Sequence, residues 1–189
     1  MQARRAAKGL TVKLEHLGSF SPITENQKLA VDRWKEGDNL MLSGSAGTGK
    51  TYLGLRMALE EVLDRESEYD KVIIIRSVVP TRDMGFLPGT EEEKMEAYTG
   101  PYKGIIQEIF QDKMAWDKMK TSGTIQFEST SFIRGITFNN AVIVVDEMQN
   151  LNFHELDSVI TRVGNCCRII FCGDYHQTDF KYDDDKSGI

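Results

Sequence analysis

A chain of 189 residues, 40% of them hydrophobic and 28% charged, is long enough for one ordinary α/β domain and too short for two full ones. This composition excludes a disordered chain, and no apolar run approaches the roughly 20 residues needed to cross a bilayer. The net charge of −6 gives no bulk attraction for nucleic acid, so the basic cluster at residues 4–13 is either a local binding patch or a solvated terminus. No apolar region follows that cluster as it would in a secretory signal, so we expect a cytoplasmic location and no membrane partner.

The apolar pattern divides the chain into a weakly patterned N-terminal arm, residues 1–20, and one domain, residues 21–189. Apolar runs predict buried strands at 39–42, 71–75, 141–145 and 168–172, of which 71–75 is apolar on both faces, and a further strand at 124–127. Helical periodicity predicts helices at 24–35, 51–63, 105–120 and 153–163, while the Pro- and Gly-rich stretch 80–104 is expected to hold loops and short helices. Strands that alternate with helices predict a three-layer α/β fold with a parallel sheet between helices.

The segment GSAGTGKT at residues 44–51 fits the P-loop pattern G-x-x-x-x-G-K-[ST] in full, after a predicted strand and at the start of a predicted helix. Its glycines let backbone N–H groups point at phosphate oxygens, and the helix N-terminus adds its positive dipole end. In this pattern Lys50 reaches the β- and γ-phosphates, and the Thr51 hydroxyl is a ligand of Mg²⁺. The alternative is a glycine-rich turn that only caps a helix. We therefore predict an ATP site at Gly44, Ser45, Ala46, Gly47, Thr48, Gly49, Lys50 and Thr51.

Two acidic residues, Asp146 and Glu147, follow the apolar run of the predicted strand 141–145. An acid at a strand end beside a P-loop is placed to hold Mg²⁺, and the next acid is placed to orient and polarise the attacking water. Taken alone, such a pair is more often a solvated turn. Next to a complete P-loop it predicts a metal role for Asp146 and a catalytic role for Glu147.

Two glutamines add to this prediction. Gln177 follows the predicted strand 168–172, where its side chain can bond the γ-phosphate or the lytic water, unless GDYHQ is only a surface turn. Gln27 lies on the predicted helix before the first strand, where it can read the adenine edge. It also has the spacing of a capping box with Thr24, and both roles can hold together. No guanine-reading Asn-Lys-x-Asp motif is present, which favours ATP weakly.

At this point a family resemblance is visible. The set of Gln27, GSAGTGKT, VVDEMQN and GDYHQTD resembles the core of superfamily 1 helicases, and more narrowly the PhoH-like ATPases. The segments RSVVPTRDMGFLPGTEEEK at 76–94 and FIRGITFNNAVIVVDEMQN at 132–150 carry the narrower likeness, which covers roughly residues 20–189. The short form without a fused nuclease domain is similar to the phage versions, whose location is the host cytoplasm.

The resemblance implies a RecA-like fold, hydrolysis of ATP with Mg²⁺, a link to RNA or single-stranded nucleic acid, and ring-like homo-oligomers of hexamer type. It assigns the catalytic set to Glu147, Lys50, Gln177 and Arg134, with no defined task for Arg134. Family members usually continue past DKSGI through another helix and strand, so we expect the chain to be C-terminally truncated relative to the family.

Hydrolysis also needs a cation on the γ-phosphoryl group, which helicases of this superfamily take from a second RecA-like domain. We expect a neighbouring subunit to supply it here, with Arg134 and Arg162 as candidates. The aromatic residues Phe86, Tyr98 and Tyr102 are either base-stacking groups or core and interface residues. The main alternative to a nucleic-acid-linked ATPase is a slow nucleotide-dependent switch or assembly protein with a protein partner.

Overall fold

A computed structural model describes residues 12–77 and 91–174 of the chain, and for 91–95 it describes the backbone alone. Predictions that concern Gln177, Phe86 and the N-terminal part of the arm therefore lie outside the described residues. None of the described helices is long and apolar enough to span a bilayer.

The core of the fold is one five-stranded sheet in which every neighbouring pair is parallel. The strands are β1 Leu40–Ser43, β2 Lys71–Arg76, β3 Ile125–Ser129, β4 Ala141–Asp146 and β5 Cys167–Gly173. Across the sheet they occur in the order β1-β5-β4-β2-β3. All six residues of β4 are buried, as expected for a central strand covered on both faces. The positions of the predicted strands are thus confirmed. The predicted burial of the first strand is wrong, because β1 lies at the edge of the sheet and Met41 is 54% exposed.

The helices cover the two faces of this sheet in unequal numbers. Side chains alternate along β4, so that Val142 and Val144 pack with the first four helices while Ile143 and Val145 pack with the fifth. This arrangement confirms the predicted three-layer α/β fold of RecA-like type. The helices are α1 Glu25–Lys35, α2 Lys50–Leu63, α3 Glu91–Phe110, α4 Ala115–Ser122 and α5 Phe153–Ile160.

Helix α2, which follows the P-loop, packs against the sheet at Gly54. A Cβ atom built on Gly54 would be 3.1 Å from Cys172 Sγ and 3.5 Å from Ile170 Cγ2. The glycine therefore allows the helix to approach β5, and this contact sets the position of the helix N-terminus that carries Lys50 and Thr51.

Two helix predictions were wrong. The described part of the stretch expected to hold loops and short helices, 91–104, belongs to the 20-residue helix α3, which continues through Pro101. Tyr102, Ile106 and Ile109 lie on one buried face of that helix, and their packing outweighs the hydrogen bond that the proline removes. The single helix predicted at 105–120 is broken after Phe110, because Gln111 is left-handed at φ 51°. Asp112 then accepts a hydrogen bond of 2.8 Å from the Met114 N–H just before α4.

Candidate nucleotide-binding site

The P-loop is an exposed turn whose shape comes from its backbone. Gly47 and Gly49 adopt φ 75° and φ 80°, a left-handed region in which side chains with a Cβ are strained. Gly49 is also the N-cap of α2, and no side chain among the described residues caps that helix. The free N–H groups of the first turn are thus available to an anion such as phosphate.

Lys50 is folded back over this turn. Its ammonium group donates hydrogen bonds of 2.7 Å to the carbonyl oxygens of Gly44 and Ser45. The Thr48 hydroxyl donates to the same Ser45 carbonyl at 2.8 Å and closes the turn from within. The predicted P-loop residues are therefore brought together, with one positive charge held over a ring of backbone groups.

Asp146 and Thr51 meet across the sheet edge, although 95 residues separate them in the chain. The Thr51 hydroxyl donates to Asp146 Oδ1 at 2.8 Å. A hydroxyl and a carboxylate at this distance are a donor set that suits Mg²⁺, a hard cation that takes oxygen ligands and keeps several waters. The two residues predicted to bind the metal thus lie in contact and fit that ion.

The second oxygen of this carboxylate is also occupied. Asp146 Oδ2 accepts a buried hydrogen bond of 2.9 Å from the Tyr102 hydroxyl. Arg76, at the end of β2, is opposite Asp146 in the strand register, and its charge acts on Tyr102, Asp146 and Glu147. The pKa of Asp146 is raised, because the effect of burial exceeds the opposite effect of the hydrogen bonds from Thr51 and Tyr102. A bound cation would remove much of the cost of keeping this carboxylate ionised.

Glu147 differs from its neighbours in accessibility and in backbone conformation. It is half-buried, whereas Asp146 and Met148 on either side are buried, and its φ of 51° lies in the left-handed region. A non-glycine residue in that region is strained and is often found at functional sites. Gln149 donates a hydrogen bond of 2.5 Å to Glu147 Oε2, which restrains the carboxylate from one side.

The end of β5 joins the P-loop to this acidic segment, because β5 lies between β1 and β4. The Gly44 N–H donates to the Gly173 carbonyl at 3.2 Å, and Gln149 Oε1 accepts from the Asp174 N–H at 3.0 Å. A Cβ atom on Gly173 would overlap Met148 Cγ and lie 2.8 Å from Gln149 Oε1. Only glycine fits at this junction.

Gln27 reaches the P-loop from α1. Thr24 accepts a hydrogen bond of 3.2 Å from the Gln27 N–H, as the predicted capping box requires. The return bond differs, because Gln27 Oε1 accepts from the Ile23 N–H at 2.8 Å and not from Thr24. Gln27 Nε2 then donates to the Thr48 carbonyl at 3.3 Å. The structure thus places Gln27 beside the P-loop, while the reading of adenine stays a prediction.

Two predicted arginines do not join this group. Arg134 is exposed and follows β3, which three strands separate from β1. Arg162 lies between α5 and β5, near the amino end of the strands, where its carbonyl accepts a hydrogen bond of 2.8 Å from the Phe138 N–H. Among the described residues neither arginine forms a hydrogen bond or ion pair with the P-loop or Asp146, so their roles in hydrolysis stay predictions.

Tyr102 is fully buried against Asp146, so of the two alternatives for this residue, base stacking or a core position, the core position is confirmed. Sequence reasoning missed two other side chains of the site. Arg76 and Gln149 belong to quoted family segments but had no assigned role. The available signal was their position, since Arg76 ends a buried strand and Gln149 lies two residues after Glu147.

Comparisons with known proteins agree with this geometry. A model of the PhoH-like protein family matches residues 19–189. Protein PhoH2 of Bacillus subtilis (strain 168) is 34% identical over 174 residues, which cover 89% of this chain and 39% of that protein. A PhoH-like protein of Mycobacterium leprae (strain TN) is 32% identical over 171 residues, which cover 90% of this chain and 48% of that protein.

Among solved structures, the Pif1 helicase from Candida albicans aligns with 84% of this chain and 34% of its own, at 20% identity and a TM-score of 0.39. This chain spans less than half the length of the two relatives from Bacillus subtilis and Mycobacterium leprae. The family match over nearly the whole chain confirms the resemblance drawn from the motifs. The chain belongs to the PhoH-like protein family, and its P-loop is of the nucleotide-binding type.

Proposed function

We propose that this chain is an ATPase that binds ATP with Mg²⁺ at residues 44–51 and hydrolyses its γ-phosphate. One observation carries the proposal: the Thr51 hydroxyl and the Asp146 carboxylate are 2.8 Å apart beside a complete P-loop, with Glu147 as the next residue. A turn that merely capped a helix would not require a buried acid from a different strand at this point.

The binding step rests on the P-loop. The backbone N–H groups at the start of α2 would take the phosphate oxygens, and Lys50 would exchange its two carbonyl partners for the β- and γ-phosphates. Thr51 and Asp146 would hold Mg²⁺, which when bound neutralises charge on the phosphate oxygens. Gln27, already on the Thr48 carbonyl, is placed to contact the adenine edge.

The hydrolytic step needs a group that orients water, and we assign this task to Glu147. Gln149 binds Oε2 of Glu147 and leaves Oε1 for a water proton. Gln177 is proposed to bond the γ-phosphate or that water from beyond β5. The stabilising cation is proposed to come from a neighbouring subunit of a homo-oligomeric ring, with Arg134 as its source because that residue is exposed.

A link to single-stranded nucleic acid is the finer part of the proposal. Two aromatic side chains, Phe132 after β3 and Phe153 at the start of α5, are 63% and 68% exposed. Their segments are tied together, because Glu155 of α5 accepts hydrogen bonds from the hydroxyls of Ser77 and Thr130. Exposed rings on connected loops at the carboxyl edge of the sheet are suited to stacking on unpaired bases. The net charge of −6 favours the alternative, a slow switch with a protein partner.

An ATPase assay on protein of known oligomeric state tests both parts of the proposal, the hydrolysis of ATP and the link to single-stranded nucleic acid. Hydrolysis that is lost in Lys50→Ala supports the ATPase proposal, and no hydrolysis by the wild type at any protein concentration contradicts it. Stimulation by single-stranded RNA or DNA, but not by a duplex of the same length, supports the nucleic-acid link. Hydrolysis without any stimulation favours the switch.

A matched pair of variants sharpens the nucleic-acid arm. Phe153→Leu removes an exposed ring from the start of α5, and Ile160→Ala removes an exposed apolar side chain from the end of the same helix. Loss of stimulation in Phe153→Leu, with normal stimulation in Ile160→Ala, is the expected result. Equal behaviour of the two variants would contradict base stacking at Phe153.

A further inference from the structure

We propose that Tyr102 is a positioning residue for the metal-binding carboxylate of Asp146, and this inference rests on the proposed function. The Tyr102 hydroxyl holds Oδ2 at 2.9 Å, while the Thr51 hydroxyl lies on Oδ1 at 2.8 Å. With one donor on each oxygen, the carboxylate plane is fixed at two points. A metal ligand that is fixed in advance loses less conformational entropy when the ion binds.

The packing of Tyr102 does not by itself require a hydroxyl. The ring is fully buried and lies against Phe127 with ring centroids 5.7 Å apart, a contact that phenylalanine would also make. A buried hydroxyl costs free energy unless it is hydrogen-bonded, and Asp146 is the partner that accepts from this one. The hydroxyl is thus explained by the carboxylate and not by the core.

Arg76 places a positive charge beside this pair. Its guanidinium group acts electrostatically on Tyr102 and Asp146, while the Tyr102 hydroxyl donates to Asp146 Oδ2. Arg76 is the last residue of β2 and is paired in register with Asp146 of β4. Through the Tyr102 hydroxyl, helix α3 thus becomes part of the proposed metal site.

The test measures the Mg²⁺ concentration that gives half-maximal binding of a fluorescent, non-hydrolysable ATP analogue. Tyr102→Phe keeps the ring and removes the hydroxyl, so analogue binding without Mg²⁺ should be unchanged. The half-maximal Mg²⁺ concentration should rise about tenfold, because the carboxylate loses one of the two donors that hold it in position for the metal. Saturating Mg²⁺ should restore both binding and kcat.

Three further variants separate positioning from a structural role. Tyr69→Phe removes a phenol just before β2, at the opposite end of that strand, and should leave the Mg²⁺ requirement unchanged. Arg76→Lys keeps the charge but not the planar fork, and should give a smaller rise than Tyr102→Phe. Added to Asp146→Asn, Tyr102→Phe should have no further effect, because it acts through that carboxylate.

Each other outcome has a defined meaning. An unchanged Mg²⁺ requirement in Tyr102→Phe overturns the inference, whatever Arg76→Lys shows. An equal loss of analogue binding with and without Mg²⁺ overturns it as well, because that is the effect of a purely structural residue. If the wild type shows no Mg²⁺-dependent binding of the analogue, the proposed function itself fails, and the positioning role fails with it.

Discussion

The P-loop and the end of β4 lie at the same edge of the sheet, but they are built in different ways. The P-loop is exposed, and its shape comes from glycine backbone and a helix N-terminus. The end of β4 is buried, and Asp146 there is held by side chains from α2 and α3, with Arg76 of β2 nearby. A site made of backbone needs consecutive residues, whereas a site made of side chains collects them from distant parts of the chain. Only a site made of consecutive backbone groups can be recognised in full from a short sequence motif.

The largest effect is expected at the side-chain site. Glu147→Gln should lower turnover by about 10²- to 10⁴-fold, since the amide cannot take a proton from water. ATP binding should stay normal because the P-loop is untouched. Steady-state hydrolysis and nucleotide binding measured on the same preparation check this. Glu108→Gln, on the exposed face of α3, is the matched control. Turnover at the wild-type rate in Glu147→Gln would remove Glu147 from the mechanism.

At the backbone site the sensitive side chain is Lys50. Lys50→Ala should weaken ATP binding by about 100-fold, because charge-assisted hydrogen bonds to phosphate are lost. Calorimetric titration with ATP measures the change. Lys118→Ala, which removes an exposed lysine from α4, should bind ATP normally. If both variants bound ATP equally well, the ammonium of Lys50 would have no part in phosphate recognition.

The junction between the two regions is expected to be sensitive to volume. Gly173→Ala should lower the free energy of unfolding by about 1–3 kcal/mol, since its Cβ atom meets Met148 and Gln149. Gly104→Ala on α3 meets no atom within 4 Å and should raise that free energy by about 1 kcal/mol through helix propensity. Chemical denaturation of both variants decides the point. An unchanged free energy of unfolding in Gly173→Ala would mean that Met148 and Gln149 move to make room for the added methyl group.

The smallest expected effect is a pH-dependent change in stability without metal. Burial raises the pKa of Asp146 above its unfolded value, so its contribution to stability is full in acid and lost as the pH rises through the folded pKa. Asp146→Asn should therefore be more stable than the metal-free wild type at neutral pH, with a gain that shrinks as the pH falls through the folded pKa and is gone below the unfolded pKa of about 3.9.

A surface carboxyl supplies the opposite sign for comparison. The hydrogen bond from Lys118 lowers the pKa of Asp112, so its contribution is present at neutral pH and lost in acid. Asp112→Asn should thus be less stable than wild type at neutral pH, with a loss that shrinks in acid. Urea denaturation across pH, with chelator present, compares the two variants. A loss of stability at neutral pH in Asp146→Asn would show that its hydrogen bonds outweigh its burial.

The sequence was informative where local pattern decides the structure. Continuous apolar runs predicted the strands, because a parallel strand that is covered on both faces carries apolar side chains on both. The P-loop was readable because its glycines, Lys50 and Thr51 are consecutive. The sequence was less informative around α3. Pro101 argued against a helix there, but the packing of the buried side chains Tyr102 and Ile106 stabilises the helix in spite of the proline.

By itself, the sequence determined the strand pattern, the P-loop and the identity of the acids that follow β4. These features depend on residues that are neighbours in the chain, so residue type and spacing are enough to predict them. Only the tertiary structure decided that β5 lies between β1 and β4, and that the Tyr102 hydroxyl takes the second oxygen of Asp146. Such contacts join residues far apart in sequence, because the order of strands and the register of a helix on the sheet follow from packing of the whole core.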